Sequence, residues 1–274
     1  MAISLAKKIN CDIICADSRI VYKNLDIVSA KPTKEEQEGV VHHLIDILEP
    51  TKEFSAGDFT FLAKKIIEEE FKKNKPVIIT GGTWFYIKSL LDFECLPECS
   101  IDKKLREELE KLTNEELYQK LIKLDNLRAQ KIHINNRDKI IRSIEMCLSL
   151  GQPISSYKRK ENKKYDASWF MVDINRDELY EKINLRVDIM LKMGLFEEWQ
   201  KNKELYPSSK ILENTIGYKE FFELEKGIYP DFNFAIDKIK QHTRNFAKRQ
   251  LTYFNNNPII KKINNEDEIL ESLV

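Results

Sequence analysis

CDIICADSRIVYKNLDIVSAKP, residues 11–32, decides the fold class. Its apolar run, Ile13, Ile14, Cys15 and Ala16, has the length and character of a buried parallel strand rather than of a helix. The run stops at Asp17, followed at once by Ser18 and Arg19. Ligands in open α/β sheets gather beyond the carboxyl ends of the strands, so Asp17 is the first candidate for chemistry. An Asp in this place also suits a cap on the next turn, and on this stretch alone both readings stand.

Upstream, residues 2–10 put Ile3, Leu5, Ala6 and Ile9 at helical spacing, which predicts an amphipathic helix feeding the strand. Downstream, Leu44 to Leu48 reads as one short strand among loops. Ser55 to Lys73 then carries Phe59, Leu62, Ala63, Ile66, Ile67 and Phe71 on a helix face, with Ser55 as its cap. PVIITGGTWFYIKSLL, residues 76–91, reads as strand, glycine turn and helix. Gly81 and Gly82 allow a ligand to approach the backbone closely, and amides at the new helix's N-terminus can hold an anion. Thr83 sits there, as part of such a site or as a plain N-cap. The turn is neither a Walker A loop nor a dinucleotide fingerprint.

From Leu96 the composition shifts. Residues 101–149 are helical in pattern with interleaved charge, which predicts an inserted helical subdomain over 97–167 between two parts of a core, 1–96 and 168–274. Its helix over 135–149 carries Arg137, Ile141, Ile144, Met146 and Leu148 and ends at Gly151 and Pro153. KRKENKK, residues 158–164, is a solvated linker or a contact for phosphates. WFMVDI, residues 169–174, returns to strand character, and helical patterns follow. In the last of these Lys238, Lys240, His242, Arg244, Lys248 and Arg249 interleave with Phe246, Tyr253 and Phe254. A local cationic helix with aromatics suits a polyanion. The competing reading is a solvated helix whose aromatics face the core.

The chain of 274 residues has 45 basic and 45 acidic side chains, so a uniformly basic nucleic-acid binder is excluded while local patches are not. No apolar run approaches the roughly 18 to 20 residues of a membrane span, and the N-terminus has no signal-peptide core. A cytoplasmic protein with no membrane partner is expected. The five cysteines, Cys11, Cys15, Cys95, Cys99 and Cys147, are odd in number and expected to be thiols. Cys95 and Cys99 are spaced loosely like a metal pair, but no second pair with ligand spacing accompanies them, so no metal ligands are assigned.

Three separated motifs, ADSRIVYKNLDIVSAKP (16–32), ITGGTWFYIKSLL (79–91) and HTRNFAKRQLTYF (242–254), resemble those of the tRNA dimethylallyltransferases. HHLIDILEPTKEFSAGDF, IHINNRDKIIRSIEMCLSLGQPIS, INLRVDIMLKMGLFEEW and TIGYKE extend the resemblance from about residue 4 to about residue 255. The resemblance implies an α/β fold like that of P-loop kinases, with a parallel sheet and an inserted helical domain that grips the anticodon stem. It implies transfer of a dimethylallyl group from dimethylallyl diphosphate to N6 of the adenosine beside the anticodon, in tRNAs reading codons that start with U. By resemblance Asp17 is the catalytic base. Thr83 and Arg186 hold and stabilise the diphosphate, for which a hydroxyl and a guanidinium are apt. Ser18, Arg19, Ile20, Asp138, Lys139, Ile140, Ile141, Arg142, Arg244, Lys248, Arg249 and Gln250 fall where the family meets tRNA. Mg²⁺ is the implied cofactor, the tRNA anticodon stem-loop the implied partner, and a monomer the implied state.

Two departures qualify the resemblance. The family opens with a strand and a phosphate-binding loop of the type GPTASGKT, just before the helix that here starts near Ala2. That strand, the loop, its Lys and its metal-binding hydroxyl are expected to be missing, through a start assigned downstream of the true one or a lost 5′ end. This carries the alternative of a tRNA-binding remnant with impaired catalysis. An adenylate isopentenyltransferase is a further alternative, opposed by the long insertion and the basic helix. The second departure is Asp138 and Lys139, where the family often has a basic or amide pair facing the tRNA.

Overall fold

Ile13 and Ile14 are fully buried, as a strand covered on both faces requires, and they form the middle of β1 (Asp12–Cys15). The helix before it, α1 (Ala2–Ile9), buries Leu5 and Ala6 and ends at Asn10 in the left-handed conformation, which turns the chain into the strand. β1 pairs in parallel with β2 (His42–His43) and with β3 (Val77–Thr80), giving the order β2-β1-β3 with Ile13 opposite both His42 and Ile78. Helix α2 (Ala56–Lys72) starts from a capping box between Ser55 and Asp58 and buries Phe59, Ala63 and Ile67, spaced four apart. After β3 and the glycine turn comes α3 (Trp84–Leu91). The expected strand at Leu44 to Leu48 is a correction: β2 lies just before it. Leu44 and Asp46 have positive φ, which interrupts an extended run, and Leu48 makes only an isolated bridge to Tyr22.

The computed structural model describes residues 1–91, 102–157 and 165–273. Cys95, Cys99 and the KRKENKK stretch lie outside these residues. The chain divides into two compact units, Met1–Leu90 with Tyr165–Val274, and Leu91–Lys164. In the smaller unit the described elements are α4 (Lys103–Leu109), α5 (Asn114–Leu124), α6 (Asn126–Ala129), α7 (Arg137–Leu150) and a short 3₁₀ turn at Ile154–Ser156. Its core is Leu109, Leu117, Leu121, Ala129, Ile140, Ile141 and Ile144. Thr113 and Glu116 form a capping box for α5. Buried Asp125 accepts hydrogen bonds from the Arg128 amide and from the amide and hydroxyl of Ser155, which ties the 3₁₀ turn down.

Back in the larger unit, β4 (Trp169–Val172) is the strand expected of WFMVDI. The helical pattern after it is split into α8 (Arg176–Lys192) and α9 (Leu195–Leu205) by Gly194, whose φ of 97° a side chain would resist. Then come α10 (Lys210–Glu213), α11 (Lys219–Glu225) and the 24-residue α12 (Phe232–Asn255). The tail, unassigned from sequence, forms β5 (Ile260–Ile263) and α13 (Glu266–Leu273). β5 pairs in parallel with β4 in a separate two-stranded sheet. Ile263 and Ile269 pack with Leu5 of α1. The main core of this unit joins Val21, Tyr22 and Leu25 to Val187, Leu195, Trp199, Tyr218, Phe221 and Ile239, so the stretch after Asp17 is laid on the helical layer.

Candidate active site

Asp17 leaves the carboxyl end of β1, and one of its oxygens, Oδ1, accepts the Arg19 amide at 2.7 Å and the Ile20 amide at 3.3 Å. The cap reading is therefore realised, and it uses one oxygen only. Oδ2 has no hydrogen bond among the described residues, and the side chain is half-buried. The parallel ladder continues one step past the strands, with the Ala16 amide on the Thr80 carbonyl at 2.7 Å and the Thr83 amide on the Ala16 carbonyl at 3.1 Å. Thr83 Oγ1 accepts the Ser18 amide at 3.0 Å. The hydroxyl is thereby fixed beside the Asp17 turn.

Gly81 is required by this closeness, and a side chain at position 82 would displace that of Gln250. A Cβ on Gly81 would lie 2.2 Å from the Ala16 carbonyl oxygen, at a φ of 155°, and one on Gly82 would lie 2.2 Å from the Gln250 amide nitrogen. The Gly81 and Gly82 amides make no hydrogen bond among the described residues and remain available to an anion. Gln250, expected on the tRNA, donates from Nε2 to the Gly82 carbonyl at 2.8 Å. Tyr253, one turn further on α12, stacks on Trp84 of α3 with centroids 3.4 Å apart. Helix α12 thus holds the glycine turn directly, a role not read from the sequence.

The backbone after Asp17 is pinned as well. Arg19 donates from Nη1 to the Ser18 carbonyl at 3.0 Å and from Nη2 to the Asn214 carbonyl at 3.4 Å. Glu198 accepts the amides of Asp26, Ile27 and Val28 and the Tyr218 hydroxyl, while the buried Lys31 ammonium bonds Asp26, Asp46 and the Tyr22 carbonyl. Neither Glu198 nor Lys31 was singled out from sequence, because long-range bonds between a side chain and loop amides leave no local pattern. Burial pushes the Cys15 thiol up to about 12, with the charge of Asp17 adding to it, so this neighbour of Asp17 is a neutral filler rather than a nucleophile.

On α12, Arg244 donates to Asn184 of α8 at 2.5 Å, Lys240 pairs with Asp188 at 2.6 Å, and His242 Nδ1 lies 2.5 Å from buried Glu220. These three are tied to the helical layer. Lys248 is exposed and has no ion pair among the described residues, and Arg249 is exposed over the Phe246 ring, so the last turns carry the free positive charge. Arg186 is exposed with no hydrogen bond or ion pair among the described residues. It stands two positions from Asn184 on α8, about 200° around the helix, and no bond joins it to Asp17 or Thr83.

Three of the residues expected at the tRNA have buried side chains. Ile20 is 8% exposed, and Ile140 and Ile141 are 0% and 1% exposed, so their side chains are core and any contact with RNA at these positions would run through the backbone. The same motif on α7 leaves Asp138 and Lys139 exposed, and Arg142 is half-exposed, donating to buried Glu145 at 3.2 Å. Among the described residues the one group with metal-ligand character is Asp12, His43 and Glu70. It sits at the start of β1, away from Asp17.

The model for IPP transferase, as a family, matches residues 20–257. A tRNA dimethylallyltransferase of Staphylococcus aureus (strain JH9) is 40% identical over 100% of this chain and 91% of its own length. The crystal structure of a tRNA delta(2)-isopentenylpyrophosphate transferase from Staphylococcus epidermidis is similar with a TM-score of 0.71 and 40% identity, covering 99% of this chain and 92% of that one. A eukaryotic dimethylallyltransferase caught acting on tRNA aligns with a TM-score of 0.80 and 27% identity, over 92% of this chain and 65% of that one. A carboxylate at the end of a parallel strand, a GGT turn locked beside it and a match of this extent place the chain in one group: it belongs to the IPP transferase family.

Proposed function

We propose that the chain transfers a dimethylallyl group from dimethylallyl diphosphate to N6 of adenosine 37, beside the anticodon, of tRNAs reading codons that start with U, giving N6-isopentenyladenosine. The single observation that carries the mechanism is the division of labour on Asp17: Oδ1 is held by two amides while Oδ2 is unpartnered. A carboxylate oriented in this way accepts the proton of the exocyclic amine as the amine attacks the allyl carbon, a contribution of about 10²- to 10⁴-fold. The Thr83 hydroxyl and the Gly81 and Gly82 amides face the departing diphosphate, and Arg186 joins them from α8 when substrate draws it in. The adenosine is extruded from its stack to reach Asp17. Arg19, Lys248 and Arg249 supply contacts to the RNA backbone, and exposed Lys139 and half-exposed Arg142 do so from the helical insertion over 97–167.

In this reading the glycine turn and Thr83 contribute to holding the diphosphate. Mg²⁺, implied by the family, accepts a small number of protein oxygens together with substrate phosphates. Thr83 Oγ1, with one lone pair used by the Ser18 amide, fits that donor set, and the ion would spread the charge of the leaving diphosphate. The reading includes a P-loop kinase-like architecture and a monomer working in the cytoplasm.

The test is transfer of radiolabelled dimethylallyl from its diphosphate to an anticodon stem-loop with adenosines at 36 and 37. Label on adenosine 37, lost when that base is changed to guanosine, is the expected result. Stem-loop binding without any transfer would overturn the proposal.

A further inference from the structure

We propose that Asp12, His43 and Glu70 form a binding site for a divalent transition metal of the zinc class, at the end of the sheet opposite Asp17. The three residues come from three elements, β1, β2 and α2, and each offers a ligand atom within 4.8 Å of the other two. His43 Nε2 lies 2.9 Å from Asp12 Oδ2. Glu70 is a nearly buried carboxylate, with its side chain 4% exposed. One oxygen takes Lys73 at 2.7 Å, and the other has no hydrogen bond among the described residues. That second oxygen is not sealed from solvent and stays open to an ion.

The donor set decides the class of ion. One imidazole nitrogen with two carboxylate oxygens suits Zn²⁺, Co²⁺ or Ni²⁺ rather than the all-oxygen shell of Ca²⁺ or Mg²⁺. Three protein ligands leave a fourth tetrahedral position for water. Ligand atoms around such an ion sit about 3.3 Å apart, from metal–ligand distances of about 2.0–2.1 Å. The cluster therefore has to tighten from within 4.8 Å to hold an ion. Asp12 begins β1 and Asp17 follows its end, so five residues of extended chain, about 16 Å, separate this site from the chemistry. The metal would clamp β1, β2 and the end of α2 together and has no part in dimethylallyl transfer. Lys73 is then a competitor: its ammonium on the same Glu70 carboxylate opposes a bound cation.

The experiment is titration of untagged, metal-free full-length protein with Zn²⁺ by calorimetry and with Co²⁺ by visible absorption. One equivalent is expected to bind, with the d–d bands of a four-coordinate nitrogen and oxygen site and a rise in unfolding temperature. Asp12→Asn, His43→Gln and Glu70→Gln should each weaken binding by more than about tenfold, the loss that follows even when an outer partner of a ligand is removed. Lys73→Ala should tighten binding, which a purely structural ion pair would not do. Circular dichroism confirms the fold of each variant, and a variant that fails it leaves the other substitutions to decide. A Cys95→Ser/Cys99→Ser variant should bind as the parent does. Absence of a saturable equivalent, binding that survives all three ligand substitutions, or binding lost with the two cysteines would each overturn the proposal.

Discussion

The turn at the ends of β1 and β3 and the first turns of α7 were both marked by short motifs, yet the structure uses them differently. At Asp17 to Arg19 and Gly81 to Thr83 the backbone itself does the positioning: four hydrogen bonds, to Asp17 Oδ1, Thr83 Oγ1 and the Ala16 carbonyl, fix where a carboxylate and a hydroxyl stand. On α7 a continuous stretch, Asp138 to Arg142, is divided by helical periodicity into exposed Asp138 and Lys139 and fully buried Ile140 and Ile141. A motif in a turn reports geometry, and nearly every residue of it is used at the site. A motif on a helix reports a location, and only the solvent face can reach a partner.

Substitutions can break this contrast, and the largest effect is expected in the helical unit. Ile141→Ala should destabilise that unit by about 2–5 kcal/mol, as large-to-small changes in a packed core do, whereas Lys139→Ala should leave stability unchanged and weaken stem-loop binding. Chemical denaturation of the two variants measures this, and a stable Ile141→Ala variant with weakened RNA binding would return Ile141 to the RNA face. In the turn, Gly81→Ala forces a Cβ to within 2.2 Å of a carbonyl oxygen at a φ that side chains avoid. It should cost about 1–3 kcal/mol and slow transfer as well, because Thr83 moves with it.

Smaller effects sharpen the picture. Lys248→Ala, which removes an exposed and unpaired charge, should lower the slope of stem-loop affinity against salt by about one, measured by fluorescence anisotropy across salt concentrations. Burial pushes Cys15 up to about 12 from 9.0, and Tyr86, also through burial, up to about 12 from 10.0. Both folded values lie above the unfolded ones, so the stability they lend is complete below pH 9.0 and is lost as pH rises toward 12. Urea midpoints should therefore fall steadily above pH 9.0, and Cys15→Ala should flatten part of that fall.

How much was legible follows from the range of the interactions. β1, β3, α2 and the GGT turn were readable because apolar runs, a Ser55 cap and a glycine pair act within a few residues. The split at Gly194 was readable in principle, but the helical pattern on both sides of it masked the break. β2 was misplaced by a few residues because positive φ at Leu44 and Asp46 has no signature in an apolar segment. β5 and α13 follow the last motif and depend on pairing with β4 and packing on α1, partners far away in sequence. At the site, Asp17 and Thr83 were legible as residues and their bonds were not. Gln250 was placed on the RNA by the family resemblance, and its bond to the Gly82 carbonyl left no local sign in the sequence.

The measurement that bears most directly on the central claim is a pair of readings on Asp17→Asn. Asn keeps an oxygen for the Arg19 and Ile20 amides but cannot take a proton. The account predicts an unchanged melting temperature and stem-loop affinity with single-turnover transfer slowed about 10²- to 10⁴-fold. Transfer at the parent rate would contradict it and leave Asp17 as a cap alone.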